Sequence, residues 1–275
     1  MAANLTRINA NIPALQSINV LNKINDRIAT HQLRLATGKA INSPGDDPAG
    51  YQLAQGLTSR KNGLMVALDN VNNAQSILNV AEGGFQNIMD ILQTVKQKAT
   101  QAADGALSTS QRSAINDQVA ALLSEVDEIV SQTTFNGQTL IDGNFSATSF
   151  QTGEQASETL AVSLQGADSG ALNINTLSLA TQTSASAAIS QADAAIDELA
   201  SRIQDVGEYK SRLKTKESTL SVAVTNTENV RSNIEDADFA KEQMEVMKLQ
   251  ILQQTAMTSL SQANSGPQIV LSLFR

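Results

Sequence analysis

Few side chains in this 275-residue chain could carry out chemistry. It has no cysteine and one histidine, His31, so it lacks a thiol nucleophile and has too few nitrogen and sulfur ligands for a zinc site. His31 follows Ile28 in an apolar repeat, which is typical of a histidine in a helix seam. The acidic pairs Asp46/Asp47 and Asp127/Glu128 could bind a cation or act as acid and base, but helix caps and solvated faces explain them more simply. We therefore assign no catalytic, cofactor-binding or metal-binding residue, and we expect no cofactor.

Charge is unevenly distributed along the chain. Residues 113–201 hold eleven acidic and no basic side chains, and this segment accounts for the net charge of −8 because the flanking segments are +3 and neutral. An acidic middle repels phosphate, so we expect no nucleic acid partner. The uncharged stretch 249–274 could cross a bilayer by length, but its glutamines would be costly in hydrocarbon. The N-terminus has no apolar run typical of a signal peptide. We therefore expect a soluble chain without membrane insertion.

Long helices must position these residues. Apolar or small residues recur every seven positions from Leu57 to Ala99, with a second set three places on, which predicts a long helix. Asp47 followed by Pro48 fits the start of that helix. A second series of heptads runs from Leu199 to Ile234, and a shorter apolar seam runs from Ile115 to Ile129. Three such helices can bury one another as a bundle.

The segment from residue 133 to 183 has a different character. Asn136-Gly137 and Asp142-Gly143 are turn signals, and residues 145–151 and 158–164 are predicted strands around a loop at 152–157. We expect a β-hairpin packed on the bundle. The Ser, Thr and Ala residues at 180–188 predict a loose connection into the last long helix.

Both ends of the chain are predicted to form amphipathic helices whose polar sides are nearly uncharged. Residues 1–22 carry one charge, Arg7, and residues 249–274 carry none. Such helices are marginal alone and gain stability by burying their apolar faces. We therefore expect them to pair with each other and with other copies of the chain, through Leu5, Ile8, Ile12, Leu15, Ile18, Leu21, Leu249, Leu252, Leu260, Val270, Leu271, Leu273 and Phe274.

Several motifs, in the same order along the chain, resemble those of bacterial flagellin. They are RLATG at 34–38, INS at 41–43, DDPAG at 46–50, QTTFNG at 132–137, QTG at 151–153 with ETL at 158–160, IEDADFA at 234–240, QILQQ at 250–254, and AN at 263–264 with PQIVLSLFR at 267–275. The resemblance spans nearly the whole chain. Pro44, Gly45, Pro48 and Ala40 depart from the family pattern, so the turn that holds them is expected to pack differently.

The resemblance implies a mainly α fold, a long antiparallel coiled-coil or helical bundle rod with a small β-hairpin region and terminal helices that pair in the core of a filament. It implies a terminal core domain of residues 1–42 and 236–275, a bundle of residues 43–235 with the hairpin at about 133–183, and no variable outer domains. The implied function is a structural, self-assembling subunit of a hollow flagellar filament that serves swimming. One alternative is the hook-filament junction protein, which shares the terminal design. Another is an enzyme in the same scaffold, which the single histidine disfavours.

The resemblance also implies partners and a location. The partners are other copies of the chain, a flagellar export chaperone, and the filament cap and hook-filament junction proteins. The expected location is the extracellular filament, reached through the flagellar secretion channel without a cleaved signal peptide. An innate-immune Toll-like receptor recognises some flagellins on a surface that corresponds here to Leu92, Gln93, Thr94, Lys96 and Lys98. Thr94 and Lys98 stand where the recognised form has Arg and Leu, so we expect weak or absent recognition.

Overall fold

The computed structural model describes residues 11–272, with side chains described for residues 11–265. This part of the chain contains five helices and two small antiparallel strand pairs, which confirms the mainly α class. The helices are α1 Ile12–Thr37, α2 Pro48–Ala102, α3 Thr109–Gln132, α4 Gln182–Glu235 and α5 Phe239–Ser272, and the strands are β1 Thr134–Phe135, β2 Gln138–Thr139, β3 Thr148–Gln151 and β4 Thr159–Val162.

The chain divides into two compact units, and α2 and α4 each contribute to both. One unit contains residues 11–59 and 226–272, and the other contains residues 60–225. The predicted domain boundaries, at residues 42/43 and 235/236, differ from these divisions and stay a prediction.

The unit of residues 60–225 has a core built from the predicted heptad positions. Phe85 and Leu78 of α2 and Leu199 of α4 are fully buried, and α3 contributes Val126 to the same cluster. Alanines alternate with these large side chains on α2, which lets neighbouring helices approach closely. The heptad pattern therefore marks the core of this unit.

The predicted loose connection at residues 180–188 is wrong, because α4 begins at Gln182. Thr181 starts the helix by exchanging hydrogen bonds with Ser184, whose amide donates to the Thr181 hydroxyl over 3.1 Å. Ala185 and Ala188 are buried in the core. Because the side chains at these buried positions are small, the sequence gives no strong apolar signal for the start of this helix.

The strands predicted at residues 145–151 and 158–164 are present as β3 and β4, which are shorter than predicted. A further strand pair, β1 and β2, flanks the turn signal at Asn136-Gly137. Asn136 and Gly137 both have positive φ, 49° and 80°, as a two-residue turn between paired strands β1 and β2 requires. Strands β3 and β4 pair from Thr148↔Val162 to Gln151↔Thr159. Beyond that pair, the Thr152 amide donates to the Glu158 carbonyl over 2.8 Å, which closes the loop.

Candidate functional site in the paired terminal helices

The unit of residues 11–59 and 226–272 is organised by α1 and α5. Asn11 starts α1 by accepting a hydrogen bond from the Ala14 amide over 3.1 Å, and Gly38 ends it with a φ of +73°. Asp238 starts α5, because its carboxylate accepts from the amides of Ala240 and Lys241. Both helices therefore have defined beginnings in the sequence.

The two helices lie antiparallel along most of their described length. Asn11 near the start of α1 donates to the Ala263 carbonyl near the end of α5 over 3.0 Å, and Gln253 donates to Asn25 over 2.7 Å. At the other end, His31 contacts Glu242. Each contact joins residues more than 200 positions apart, so they fix how α1 is aligned on α5.

The apolar core between α1 and α5 is thin. In the part of the chain that the structure describes, the buried members of this cluster are Ile24, Leu249 and Ala256, and Leu21 and Ile28 pack against them half-buried. Leu249 is completely buried. Polar contacts add to this small apolar cluster in joining the two helices.

A charged cluster lies next to this core. His31 Nδ1 contacts Glu242 Oε2, and the two side chains are 14% and 9% exposed. Arg34 Nη1 approaches the other oxygen of Glu242 at 3.6 Å, and Arg27 approaches Glu245 at 3.8 Å. A hydrogen bond from Lys248 lowers the pKa of Glu245, so this carboxylate stays ionised at a lower pH than an isolated glutamate does. We call these residues, His31, Arg27, Arg34, Glu242 and Glu245, the His31 cluster.

The turn after α1 is bonded to the connection between α4 and α5. The Ala40 amide donates to the Glu235 carbonyl over 2.6 Å, and the Ala237 amide donates to the Gly38 carbonyl over 2.8 Å. Lys39 Nζ lies 2.5 Å from Glu235 Oε1. Burial raises the pKa of Glu235, but its hydrogen bonds from Lys39 and Arg231 outweigh burial and hold the pKa below the usual value.

Large apolar side chains are exposed on the outer sides of α1 and α5. Met244, Met247 and Ile251 follow one another at helical spacing on the side of α5 opposite Leu249, and Ile251 is 65% exposed. Eleven of the seventeen large hydrophobic residues found exposed in the described chain lie on these two helices. We call them the terminal apolar surface: Ile12, Leu15, Ile18, Val20, Leu33, Phe239, Met244, Met247, Ile251, Leu252 and Met257.

This surface continues into a groove between α1 and α5. The groove has a volume of about 440 Å³ and is open to solvent. Val20 and Ile24 of α1 and Leu252 and Ala256 of α5 are among the residues that line it. An apolar helix face from another polypeptide could bury against such a surface.

The structure separates the residues predicted for the interface into three groups. Ile12, Leu15, Ile18 and Leu252 are exposed, and Leu21 and Leu260 are half-buried. Leu249 is completely buried against α1 of the same chain, and its part in contacts between copies stays a prediction. The remaining predicted residues lie outside the described side chains: Leu5, Ile8, Val270, Leu271, Leu273 and Phe274.

Sequence reasoning missed the stripe of Met244, Met247 and Ile251. These residues recur at intervals of three and four, which is the signal of a helix face. Charged residues between them, such as Glu245 and Lys248, obscured that signal. The absence of charged side chains from residues 249–274 instead predicts an interface at the end of α5.

The acidic pairs in the chain are occupied by structural hydrogen bonds. Asp46 accepts from the amides of Asn42 and Ser43, and these backbone hydrogen bonds lower its pKa. Asp47 accepts from the Ala49 amide at the start of α2. Asp127 accepts from both the amide and the hydroxyl of Ser169, over 2.7 and 2.9 Å.

The described residues contain no candidate metal site and no candidate membrane span. No group of three or more His, Cys, Asp or Glu residues there could hold a metal ion. No described helix has the length and apolarity to span a membrane.

Among the residues predicted for an immune-receptor surface on α2, Leu92 is fully buried in the core. Gln93 is exposed, and Thr94 and Lys98 are half-buried. Lys96 lies 2.5 Å from Asp193 of α4, so its charge is paired within the chain.

Comparisons with known proteins identify this arrangement. The family profile described as the bacterial flagellin N-terminal helical region matches residues 8–146, and the C-terminal helical region profile matches residues 189–274. Flagellin FlaB1 of Treponema pallidum is 31% identical over 284 residues, which covers 98% of this chain and 99% of the relative. Flagellin of Bacillus subtilis is 30% identical over 303 residues, which covers 98% of this chain and all of the relative.

A solved structure has the same fold. The crystal structure of Bacillus cereus flagellin superposes with a TM-score of 0.51 at 24% identity, over 55% of this chain and 88% of the other. Both family profiles are flagellin regions, so the hook-filament junction alternative is not favoured. The chain therefore belongs to the bacterial flagellin family, and it is a structural subunit of a flagellar filament rather than an enzyme.

Proposed function

We propose that this flagellin polymerises through the terminal apolar surface, which other copies of the chain cover along the filament core. The observation that carries the proposal is the concentration of exposed large hydrophobic residues on α1 and α5. Exposed apolar surface on this scale is typical of a protein interaction site. Contacts between identical chains that do not close into a ring generate a helical filament.

The domain assignment follows from the same argument. Residues 1–42 and 236–275 form the inner, polymerising domain of the filament, and residues 43–235 form the helical bundle with the β-hairpin. The charges support this assignment: acidic side chains favour water, and residues 113–201 carry eleven of them and no basic side chain, whereas residues 249–274 carry no charge. The acidic segment then faces outward.

Export and assembly partners belong to the same proposal. The subunit passes through the flagellar secretion channel without a cleaved signal peptide and polymerises outside the cell. An export chaperone shields the apolar C-terminal helix before secretion, and the filament cap and hook-filament junction proteins contact the growing polymer. The exposed apolar side of α5, with Met244, Met247 and Ile251, is the kind of surface that a chaperone covers.

Immune recognition through α2 is expected to be weak or absent. Leu92 is buried and Lys96 is paired with Asp193, so Gln93, Thr94 and Lys98 are left as the available groups. A receptor-reporter response equal to that of a strongly recognised flagellin would contradict this expectation.

The polymerisation surface is tested by placing a charge on it. Ile251→Asp is expected to abolish seeded filament growth at micromolar concentration, because a carboxylate buried between copies without a partner costs several kcal/mol. Negative-stain electron microscopy and sedimentation measure the polymer.

The matched control is Val222→Asp on α4, since Val222 is 58% exposed, comparably to Ile251 at 65%. The control is expected to polymerise. Circular dichroism checks that both variants keep their helices. Normal filaments from Ile251→Asp would refute the proposed surface.

A further inference from the structure

We propose that the outer side of α5 in one copy seats in the groove between α1 and α5 of the next copy. Met244, Met247 and Ile251 form that outer side, and we call them the α5 stripe. The inference rests on the proposed function, and it names which part of the terminal apolar surface contacts which. The contact has a direction, because each copy offers one face and receives a different one.

The α5 stripe is arranged to bind a second polypeptide. Its three side chains are large, apolar and exposed in the described chain. They lie opposite Leu249, which packs against α1, so α1 of the same chain is on the far side of the helix. Their spacing, with the second residue three and the third seven positions after the first, is that of the anchors by which a helix enters a groove.

The groove between α1 and α5 has a matching character. Its volume is about 440 Å³, and none of the residues that line it is charged. Ile24 and Ala256 are buried at its base, whereas Val20 and Leu252 are exposed at its edges. Methionine suits such a groove, because its flexible side chain adapts to irregular apolar gaps.

The charges next to the α5 stripe are paired within the chain. Lys248 Nζ lies 3.1 Å from Glu245 Oε1, and Arg27 approaches the other oxygen of Glu245 at 3.8 Å. The groove and the stripe themselves consist of uncharged side chains. Seating one in the other therefore buries apolar surface without burying an unpaired charge.

The occupant of the groove is a second copy of the chain. The protein is a subunit of a flagellar filament, in which identical chains lie next to one another. The stripe and the groove lie on different sides of α5, so one copy cannot fill its own groove. A contact between two different faces does not close into a twofold dimer, and it repeats from copy to copy as a helical filament requires.

The positions of the two surfaces predict how neighbouring copies are aligned. The stripe is centred on Met247, whereas the part of α5 that lines the groove runs from Leu252 to Ser259. These centres are about eight residues apart, or about 12 Å along the helix. A shift of this size between parallel copies brings Met247 to Val20 of the next copy. It brings Ile251 to Gln16, one turn away, because α1 runs antiparallel to α5.

Cysteine cross-linking in filaments of the full-length protein tests the contact, since the chain has no cysteine of its own. Met247→Cys and Val20→Cys are made as separate proteins, mixed in equal amounts, polymerised on short wild-type seeds and oxidised. A disulfide needs Cα atoms within about 7 Å of each other. The mixture is expected to give covalent dimers with up to about half of the protein, because each copy has one stripe and one groove. Either protein alone is expected to stay monomeric on a non-reducing gel.

The matched control replaces Val20→Cys by Leu33→Cys. Both residues belong to α1 and both are 51% exposed, but Leu33 does not line the groove. The mixture of Met247→Cys with Leu33→Cys is expected to stay monomeric. A second pair, Ile251→Cys with Gln16→Cys, is expected to form dimers through the same alignment, and it decides the question if Met247→Cys or Val20→Cys prevents polymerisation.

Three results would overturn the inference: filaments in which neither pair forms dimers, equal dimer yields from the Leu33→Cys control, or Met247→Cys filaments that cross-link on their own. The last result would show that two stripes meet each other instead of a stripe meeting a groove. None of these results affects the proposed function, which fails separately if Ile251→Asp forms normal filaments.

Discussion

Leu249 is the residue on which the pairing of the terminal helices depends most. It is completely buried, and it belongs to a cluster whose other buried members are Ile24 and Ala256. Truncation of a buried leucine to alanine costs about 2–5 kcal/mol, and the cost falls when the site can relax or admit water. A solvent-open groove lined by Ala256 and Leu252 lies beside it, so we expect a cost at the lower end, about 2–3 kcal/mol.

That cost predicts a large effect on assembly. If the terminal helices of free subunits are mainly unpaired and only subunits with paired helices join the filament, the full cost appears in assembly, and Leu249→Ala raises the critical concentration about 30- to 150-fold. Sedimentation of seeded filaments at 25 °C measures this concentration. The control Leu249→Met conserves volume and is expected to raise it less than about tenfold.

The refuting result is specific. A Leu249→Ala protein whose critical concentration lies within threefold of the wild-type value would show that the α1·α5 contact described above does not support the filament. Circular dichroism melting separates this outcome from a general loss of folding, because residues 60–225 have their own core and are expected to melt unchanged.

Two further changes test the fold. Gly84→Ala on α2 is expected to lower the melting temperature, because the added Cβ would lie 2.8 Å from Thr133 Oγ1 and 2.9 Å from its Cγ2. The control is Gly83→Ala, whose added Cβ meets nothing within 4 Å. This control is expected to raise the melting temperature slightly, because alanine has a higher helix propensity than glycine. Glu235 has a lowered pKa, so its stabilising contribution is present at neutral pH and is lost as the pH falls below the usual carboxylate range. Thermal melting from pH 7 to pH 3 should therefore show that Glu235→Gln is less stable than the wild-type protein at pH 7 and loses less stability on acidification.

The helices of the larger unit could be predicted because their apolar residues repeat at one fixed interval. Each heptad on α2 and α4 returns a side chain to the same seam, and Leu78, Phe85 and Leu199 are buried as the pattern predicts. The start of α4 could not be predicted in this way, because Ala185 and Ala188 fill the core with methyl groups that have no strong hydropathy signal.

The candidate site was less predictable than the helices that form it. Periodicity identifies an apolar face but does not tell whether the same chain or another copy covers it, and Leu249 is covered by α1 of its own chain. The contact of His31 with Glu242 depends on the alignment of two helices 211 residues apart, and no local pattern encodes it.

The bonded turn after α1 has a mechanical consequence. The connection from α1 to α2 and the connection from α4 to α5 are joined by backbone hydrogen bonds in opposite directions, from Ala40 to Glu235 and from Ala237 to Gly38, together with the Lys39–Glu235 ion pair. Bonds that share a load side by side must break together rather than one after another. A force that pulls the terminal helices away from the rest of the chain therefore loads these bonds in parallel, at the two connections that leave α1 and α5.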